Sequence, residues 1–139
     1  MYARDFLTVT GRVAGALDAG AIEAMVDALV AVRERGGRLF VLGVGGSAAN
    51  ASHAAADFRK LAGMEAYAPA DNVTELTART NDEGWETVFS AYLEESRLTA
   101  RDAVLVFSVG GGSVEPSVSA NLVAALEYAR RVGAATFGG

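Results

Sequence analysis

Two short stretches carry residues that could do chemistry together. In the first, Gly43, Gly45, Gly46 and Ser47 close an apolar run from Leu39 to Leu42 and open an Ala-rich helical pattern. Glycines let backbone N–H groups come close to an oxyanion, and a hydroxyl at the helix start adds a donor, which is the pattern of a phosphate cradle. The plainer alternative is a strand–turn–helix connection in which Ser47 only caps the helix. The second stretch repeats the arrangement: Gly110, Gly111 and Gly112 lie between Ser108 and Ser113, with Ser117 just beyond and Glu115 beside them. A plain connection does not need three successive glycines, so close approach of the backbone to a ligand is favoured.

Past the first turn, Ser47, Asn50, His53 and Asp57 recur at three or four residues and form a polar row climbing one helix face. His53 and Asp57, at i and i+4, can point at one ion in the manner of helical zinc sites, although a catalytic zinc normally takes three ligands from protein. His53 equally suits a hydrogen-bonded or solvated place, and Asp57 a pairing with Arg59 or Lys60. A further polar pair, Asn81 and Asp82, precedes an amphipathic helix starting near Trp85 and could cap it.

The elements that must position these groups follow from the apolar spacing. A first helix is expected from about Ala3 to Leu17, with Phe6, Val9, Val13 and Leu17 on one side, and a second from Ala19 to Glu34, ended by Gly36 and Gly37. Their combined apolar surface exceeds what one sheet face covers, so oligomerisation is expected, with an intramolecular cover as the alternative. A strand from Arg38 to Gly43 feeds a helix from Ser47 to about Leu61, whose Ala48, Ala51, Ala55, Phe58 and Ala62 should face the sheet. A second strand is expected near Met64 to Ala68, closed by Pro69, and a short helix or turn from Asp71 to Arg79. The third strand, Ala103 to Ser108, is apolar throughout, as a central parallel strand should be. Pro116 suits the first turn of a last helix that buries Leu122, Leu126, Ala129 and Val132, and after Gly133 a fourth strand starts at Ala134 to Phe137. Strands alternating with helices imply a mainly parallel sheet covered on both sides, with ligands at the carboxyl ends of its strands.

Composition narrows the function classes. The chain has 139 residues, of which 51% are hydrophobic and 21% charged, enough for one domain with its own core. Its formal net charge of −5 argues against a nucleic-acid surface, which needs clustered Lys and Arg, but not against one small phosphate held by backbone donors. The absence of cysteine excludes disulfides and thiolate metal sites and fits the cytoplasm. No apolar run approaches the ~18 residues of a membrane span, and the first residues lack a signal-peptide core.

With both glycine–serine turns placed, the chain resembles sugar isomerase (SIS) domains, and most of all the sedoheptulose 7-phosphate isomerases, also called phosphoheptose isomerases. The resemblance is carried by GVGGSAANASH from Gly43 to His53, TNDEGW from Thr80 to Trp85, SVGGGS from Ser108 to Ser113, and the two leading helices. It implies an α/β fold, a three-layer αβα sandwich with a mainly parallel sheet preceded by two N-terminal helices. A single SIS domain would span 1–139, with the helices in 1–36 and the core in 37–139. Gly45, Gly46, Ser47, Ser108, Gly110, Gly111, Gly112 and Ser113 would hold a sugar phosphate, and Asn81 and Asp82 would lie near the sugar. The implied assembly is a homotetramer with sites between subunits, without nucleic-acid or membrane partners.

Several positions depart from the family pattern. Val44 replaces an Asn, Asn50 an Asp, and Asp57 a Glu, while Val109 and the glycines after it remove two hydroxyls and an amide. VEPSV reads as an insertion before Ser119, Ala120 and Asn121. The family's C-terminal strand and helix, with further Gln and His ligands, have no counterpart, so the chain is expected to be part of a longer protein or to be completed by neighbouring subunits. The activity implied is aldose–ketose isomerisation of a sugar phosphate through an enediolate, with Asp57 as base and His53 polarising oxygen or binding zinc. The alternative is a non-catalytic phosphosugar-binding or protein-assembly module that keeps the loops without the chemistry.

Overall fold

The computed structural model describes residues 1–113 and 118–138. Glu115, Pro116 and Ser117 lie outside the described residues. Among the described residues, six helices and four strands follow one another as α1 (Tyr2–Gly15), α2 (Ala19–Glu34), β1 (Leu39–Gly43), α3 (Gly46–Lys60), β2 (Ala66–Tyr67), α4 (Val73–Asp82), α5 (Val88–Glu95), β3 (Ala103–Phe107), α6 (Ala120–Val132) and β4 (Ala135–Gly138). The strands are all parallel, in the order β2-β1-β3-β4.

Alternation along the two central strands builds a layer on each face. Leu39 and Val41 of β1 and Ala103 and Leu105 of β3 pack with Leu29 and Val32 of α2 and with Ala51 and Ala55 of α3. Phe40, Leu42, Val104 and Val106 point the other way, onto Val88, Phe89 and Leu93 of α5 and Leu122, Ala125 and Ala129 of α6. With successive side chains on opposite faces, both faces of a central strand are buried, so its sequence is apolar throughout. The expected αβα sandwich is therefore the observed one. Alanines at the α3 contact let that helix lie close to the strands.

Local chemistry fixes the ends. The Asp18 carboxylate caps α2 by accepting from Ala21 N at 3.1 Å, and Gly36, at φ +69°, follows its last turn. At the edge of the sheet far from the glycine loops, Asp102 is buried and accepts from Arg38 N (2.9 Å), Arg38 Nη2 (2.8 Å) and Thr99 N (2.8 Å), joining the start of β1 to the turn before β3. By contrast α1 has no buried residue, and Phe6, Leu7, Val9, Val13 and Leu17 are exposed.

Three boundaries differ from expectation. The second strand is two residues, not five, because it pairs with β1 only at Leu39 and Phe40. Asn81 and Asp82 do not cap the helix after Trp85: they form the last turn of α4, which Gly84 (φ +93°) follows, and the next helix starts at Val88 after Thr87. The longer α4 is held by Asn72, whose side chain accepts from Thr74 N and Glu75 N, and by buried Arg79, which donates to Glu75 at 2.8 Å and to Glu95 of α5 at 2.5 Å. The last helix begins at Ala120, beyond Pro116.

Candidate functional site

The chain runs from β1 outward to β2 in one direction and from β3 to β4 in the other, so the two central strands flank a topological switch point. In open parallel sheets ligands bind in the crevice at the carboxyl ends of such strands. The two glycine–serine turns lie there side by side, since Gly43 at the end of β1 is in register with Phe107 at the end of β3.

In the first turn the helix starts almost on top of the strand. A methyl group on Gly43 would lie 2.4 Å from the Ser47 carbonyl oxygen, so no larger residue fits. Gly45, at φ +62° and ψ −124°, is the N-cap of α3, and Ser47 N donates to Val44 O at 3.2 Å. Ser47 is thus the second helical residue and does not cap, which removes the plainer reading of its hydroxyl.

The second turn is tied into itself. The Ser108 hydroxyl donates to Gly111 O at 2.8 Å, and Ser113 and Val118 exchange two backbone hydrogen bonds of 2.9 Å. Gly111 has φ +67°, and a methyl on Gly112 would come within 2.9 Å of Val123 Cγ2. Two of the three glycines therefore answer to backbone conformation and packing rather than to a ligand. Gly110 remains the open one. Ser119, the N-cap of α6, takes a left-handed conformation (φ 50°, ψ 47°) that non-glycine residues rarely adopt and that clusters at functional sites.

Between the turns is a cavity of about 600 Å³, lined on one side by Gly46, Ser47 and Asn50 and on the other by Ser108, Gly110 and Ser119, with apolar side chains between them. The starts of two helices, α3 and α6, open onto it. Each presents N–H groups without intrahelical partners and the positive end of a macrodipole, so an anion can be held without a cation. Among the described residues, no lining side chain carries a charge.

The expected site residues divide accordingly. Gly46, Ser47, Ser108 and Gly110 meet at this cavity; Gly111 and Gly112 line a neighbouring one of about 450 Å³ with Ser108, beside α6 and β4. Gly45 and Ser113 shape the turns without lining the cavity. His53 and Asp57 pair at 3.2 Å between Nε2 and Oδ2 and are solvent-accessible on α3, one and two turns past Asn50, outside the lining. Asn81 donates to Asp82 at 2.7 Å on the last turn of α4, also away from the cavity. Asn50 and Ser119 are lining residues that the sequence did not single out as ligands. Their signals were there: Asn50 lies one turn from Ser47, and Ser119 is a cap-type residue directly before a helical pattern.

For a metal, His53 and Asp57 offer two donors of the right kind. Among the described residues no group of three or more His, Cys, Asp or Glu could hold an ion. The described residues therefore do not make a zinc site by themselves, because catalytic zinc takes three ligands from protein. No described helix is long and apolar enough to cross a membrane.

Comparison with known proteins gives concordant findings. Residues 2–138 match the family described as SIS domain. A phosphoheptose isomerase of Roseiflexus sp. (strain RS-1) is 38% identical over 122 residues, covering 84% of this chain and 58% of that protein. The lincomycin biosynthesis protein LmbN of Streptomyces lincolnensis is 37% identical over 138 residues, covering 95% of this chain and 50% of that protein. The chain thus spans between half and two thirds of these relatives' lengths. A solved phosphoheptose isomerase from Francisella tularensis superposes with a TM-score of 0.84 at 25% identity, covering 99% of this chain and 69% of that one.

Proposed function

The chain belongs to the SIS domain family, and from that we propose that it is a sugar-phosphate aldose–ketose isomerase that acts on a ketoheptose 7-phosphate. The observation that carries the proposal is the cavity at the β1/β3 switch point, with no charged lining side chain among the described residues, into which two helix N-termini open. It suits the phosphate of such a substrate, and the relatives named phosphoheptose isomerase supply the substrate class.

In this reading α3 is both clamp and ruler. The phosphate lies against Gly46 and Ser47, and the helix rises ~1.5 Å per residue, so His53 stands roughly 9 Å further along. An extended seven-carbon sugar puts its carbonyl end roughly 9 Å from its phosphate. Asp57 then removes the proton from the carbon next to the carbonyl and returns it to the neighbouring carbon, while His53, at 3.2 Å from the Asp57 carboxylate, faces the oxygen on which negative charge develops. The apolar outer face of α1 supports a homo-oligomer, a tetramer by resemblance, whose neighbouring subunits complete the site. The cytoplasm is the proposed location.

The alternative, a phosphosugar-binding or assembly module, is favoured by one observation: His53 and Asp57 lie outside the cavity lining. Turnover of sedoheptulose 7-phosphate by the 139-residue chain separates the two. Asp57→Asn should lower kcat by ~10²-fold or more with little change in KM. Saturable binding without turnover in the parent chain would sink the enzymatic reading and leave the module.

A further inference from the structure

Beside the polar groups at its two helix starts, Asn50 and Ser108, the cavity is lined by apolar side chains, and part of that apolar lining is accessible. Val44, Val109 and Val118 all line it, and all three are among the exposed large hydrophobic residues, at 37%, 103% and 39%. Valine is among the residues most often buried, and three accessible valines at the mouth of one cavity form a patch with an unmet demand for apolar contact. Two of the three are fixed by backbone bonds. Val44 follows Gly43 and sits in the turn tied by Ser47 N and Val44 O, and Val118 is held by its two backbone bonds to Ser113. A methyl on Gly110 would touch Val118 Cγ1 at 3.9 Å, so Val118 lies beside the one open glycine of the second turn.

A fully hydroxylated sugar fits such a wall poorly. Each hydroxyl turned toward it leaves water and gains no hydrogen bond. Resting on the proposal that a sugar phosphate occupies this cavity, we infer that the preferred ligand carries a deoxygenated or methylated carbon next to its phosphate-bearing carbon, packed against Val44, Val109 and Val118. The position follows from the chain. Val44 lies between the glycines of the phosphate turn and therefore meets the carbons closest to the phosphate, not those at the carbonyl end. Val44 and Val109 thus act as specificity-determining residues, choosing among sugar phosphates of the same length.

The test compares dissociation constants of the 139-residue chain for sedoheptulose 7-phosphate and for its 6-deoxy counterpart, with inorganic phosphate as competitor. A hydroxyl facing an apolar wall is rejected by at most ~10²-fold, and for a patch open to water the expected preference for the deoxy sugar is about tenfold. Val44→Thr with Val109→Thr adds two hydroxyls at nearly constant volume on accessible positions and should bring the ratio to about one. A deoxy preference that collapses in this variant supports the inference. Equal affinities in the parent chain, or a preference that persists unchanged in the variant, overturn it while phosphate competition upholds the phosphate site. If neither sugar nor inorganic phosphate binds, the phosphate reading falls and this inference with it. The ratio in the parent chain decides even if the double variant fails to fold.

Discussion

Replacing Gly46 with alanine separates what the first glycine turn does for folding from what it does for a ligand. Gly46 is the first residue of α3, and a methyl group there meets no atom within 4 Å. Alanine in place of a helical glycine removes unfolded-state entropy and is worth about 0.4–1 kcal/mol of stability. At ~2.1 cal/mol/K per residue, a chain of 139 residues has an unfolding entropy near 290 cal/mol/K, so the melting temperature should rise by about 1–3 °C. The same methyl projects into space that the anion needs, because Gly46 lines the cavity. Losing one backbone hydrogen bond to a charged oxygen costs about 1.5–3 kcal/mol, which weakens binding by roughly 10- to 150-fold. Thermal unfolding and competition binding with inorganic phosphate measure both arms. Gly43→Ala is the contrasting control: its methyl would lie 2.4 Å from Ser47 O and must push α3 off β1, so it loses stability and binding together. A Gly46→Ala chain that melts higher yet binds phosphate like the parent would refute the assignment of this turn as an anion cradle.

Two more predictions concern regions away from the cavity. Burial pushes the Asp102 carboxyl up, but hydrogen bonds from the Arg38 side chain and from the backbone N–H groups of Arg38 and Thr99 outweigh it and hold the group below the usual carboxylate range. Its contribution to stability is therefore complete above ~pH 4 and drains as the pH falls through the folded-state value. Asp102→Asn should cost about 3–5 kcal/mol at pH 7 and flatten the acid limb of the stability curve; an unchanged limb in urea titrations from pH 7 to 2 would contradict this. For α1, Phe6→Glu with Val13→Glu should convert an oligomer to monomers in sedimentation while the sheet stays folded, each buried apolar side chain being worth about 1.5–3 kcal/mol. A parent chain that already sediments as a monomer at micromolar concentration would remove the basis for that assembly.

What was legible in the sequence was what local chemistry decides. The bounds of α2 are readable because Asp18 and the Gly36–Gly37 pair mark both ends, and the central strands because both of their faces are buried and leave no polar residue to confuse the pattern. Where structure and expectation differ, the reason is a contact that residue type and spacing alone do not reveal. Asn81 and Asp82 have the composition of a cap, but the Asn72 cap and the ion pairs of Arg79 with Glu75 and Glu95 extend α4 through them. The triple glycine invited a ligand-based reading, yet Gly112 is small because of Val123 on α6, eleven residues away. Ser108 was expected to donate to phosphate, but its hydroxyl is turned into its own loop, onto Gly111 O, so a phosphate would have to compete with that bond or use the serine in another rotamer.

The topology offers an acidic chain, whose cavity has no charged lining side chain among the described residues, a way to hold the proposed dianion. The strand order brings the starts of two helices, α3 with 15 residues and α6 with 13, to the same crevice. A macrodipole contributes roughly half an elementary charge at each N-terminus, so the two together approximate one cation. Unlike a lysine or arginine, they lose no mobile side-chain entropy on binding, because the N–H groups are already fixed by the helices. The arrangement also orders the polar row on α3. With the anion anchored at its first turn, as proposed, Asn50 is the next polar side chain along α3, and His53 and Asp57 stand further along it, outside the cavity lining. In the proposed reading, position along the ligand follows position along this one helix, and Val44 at its base meets the carbons nearest the phosphate.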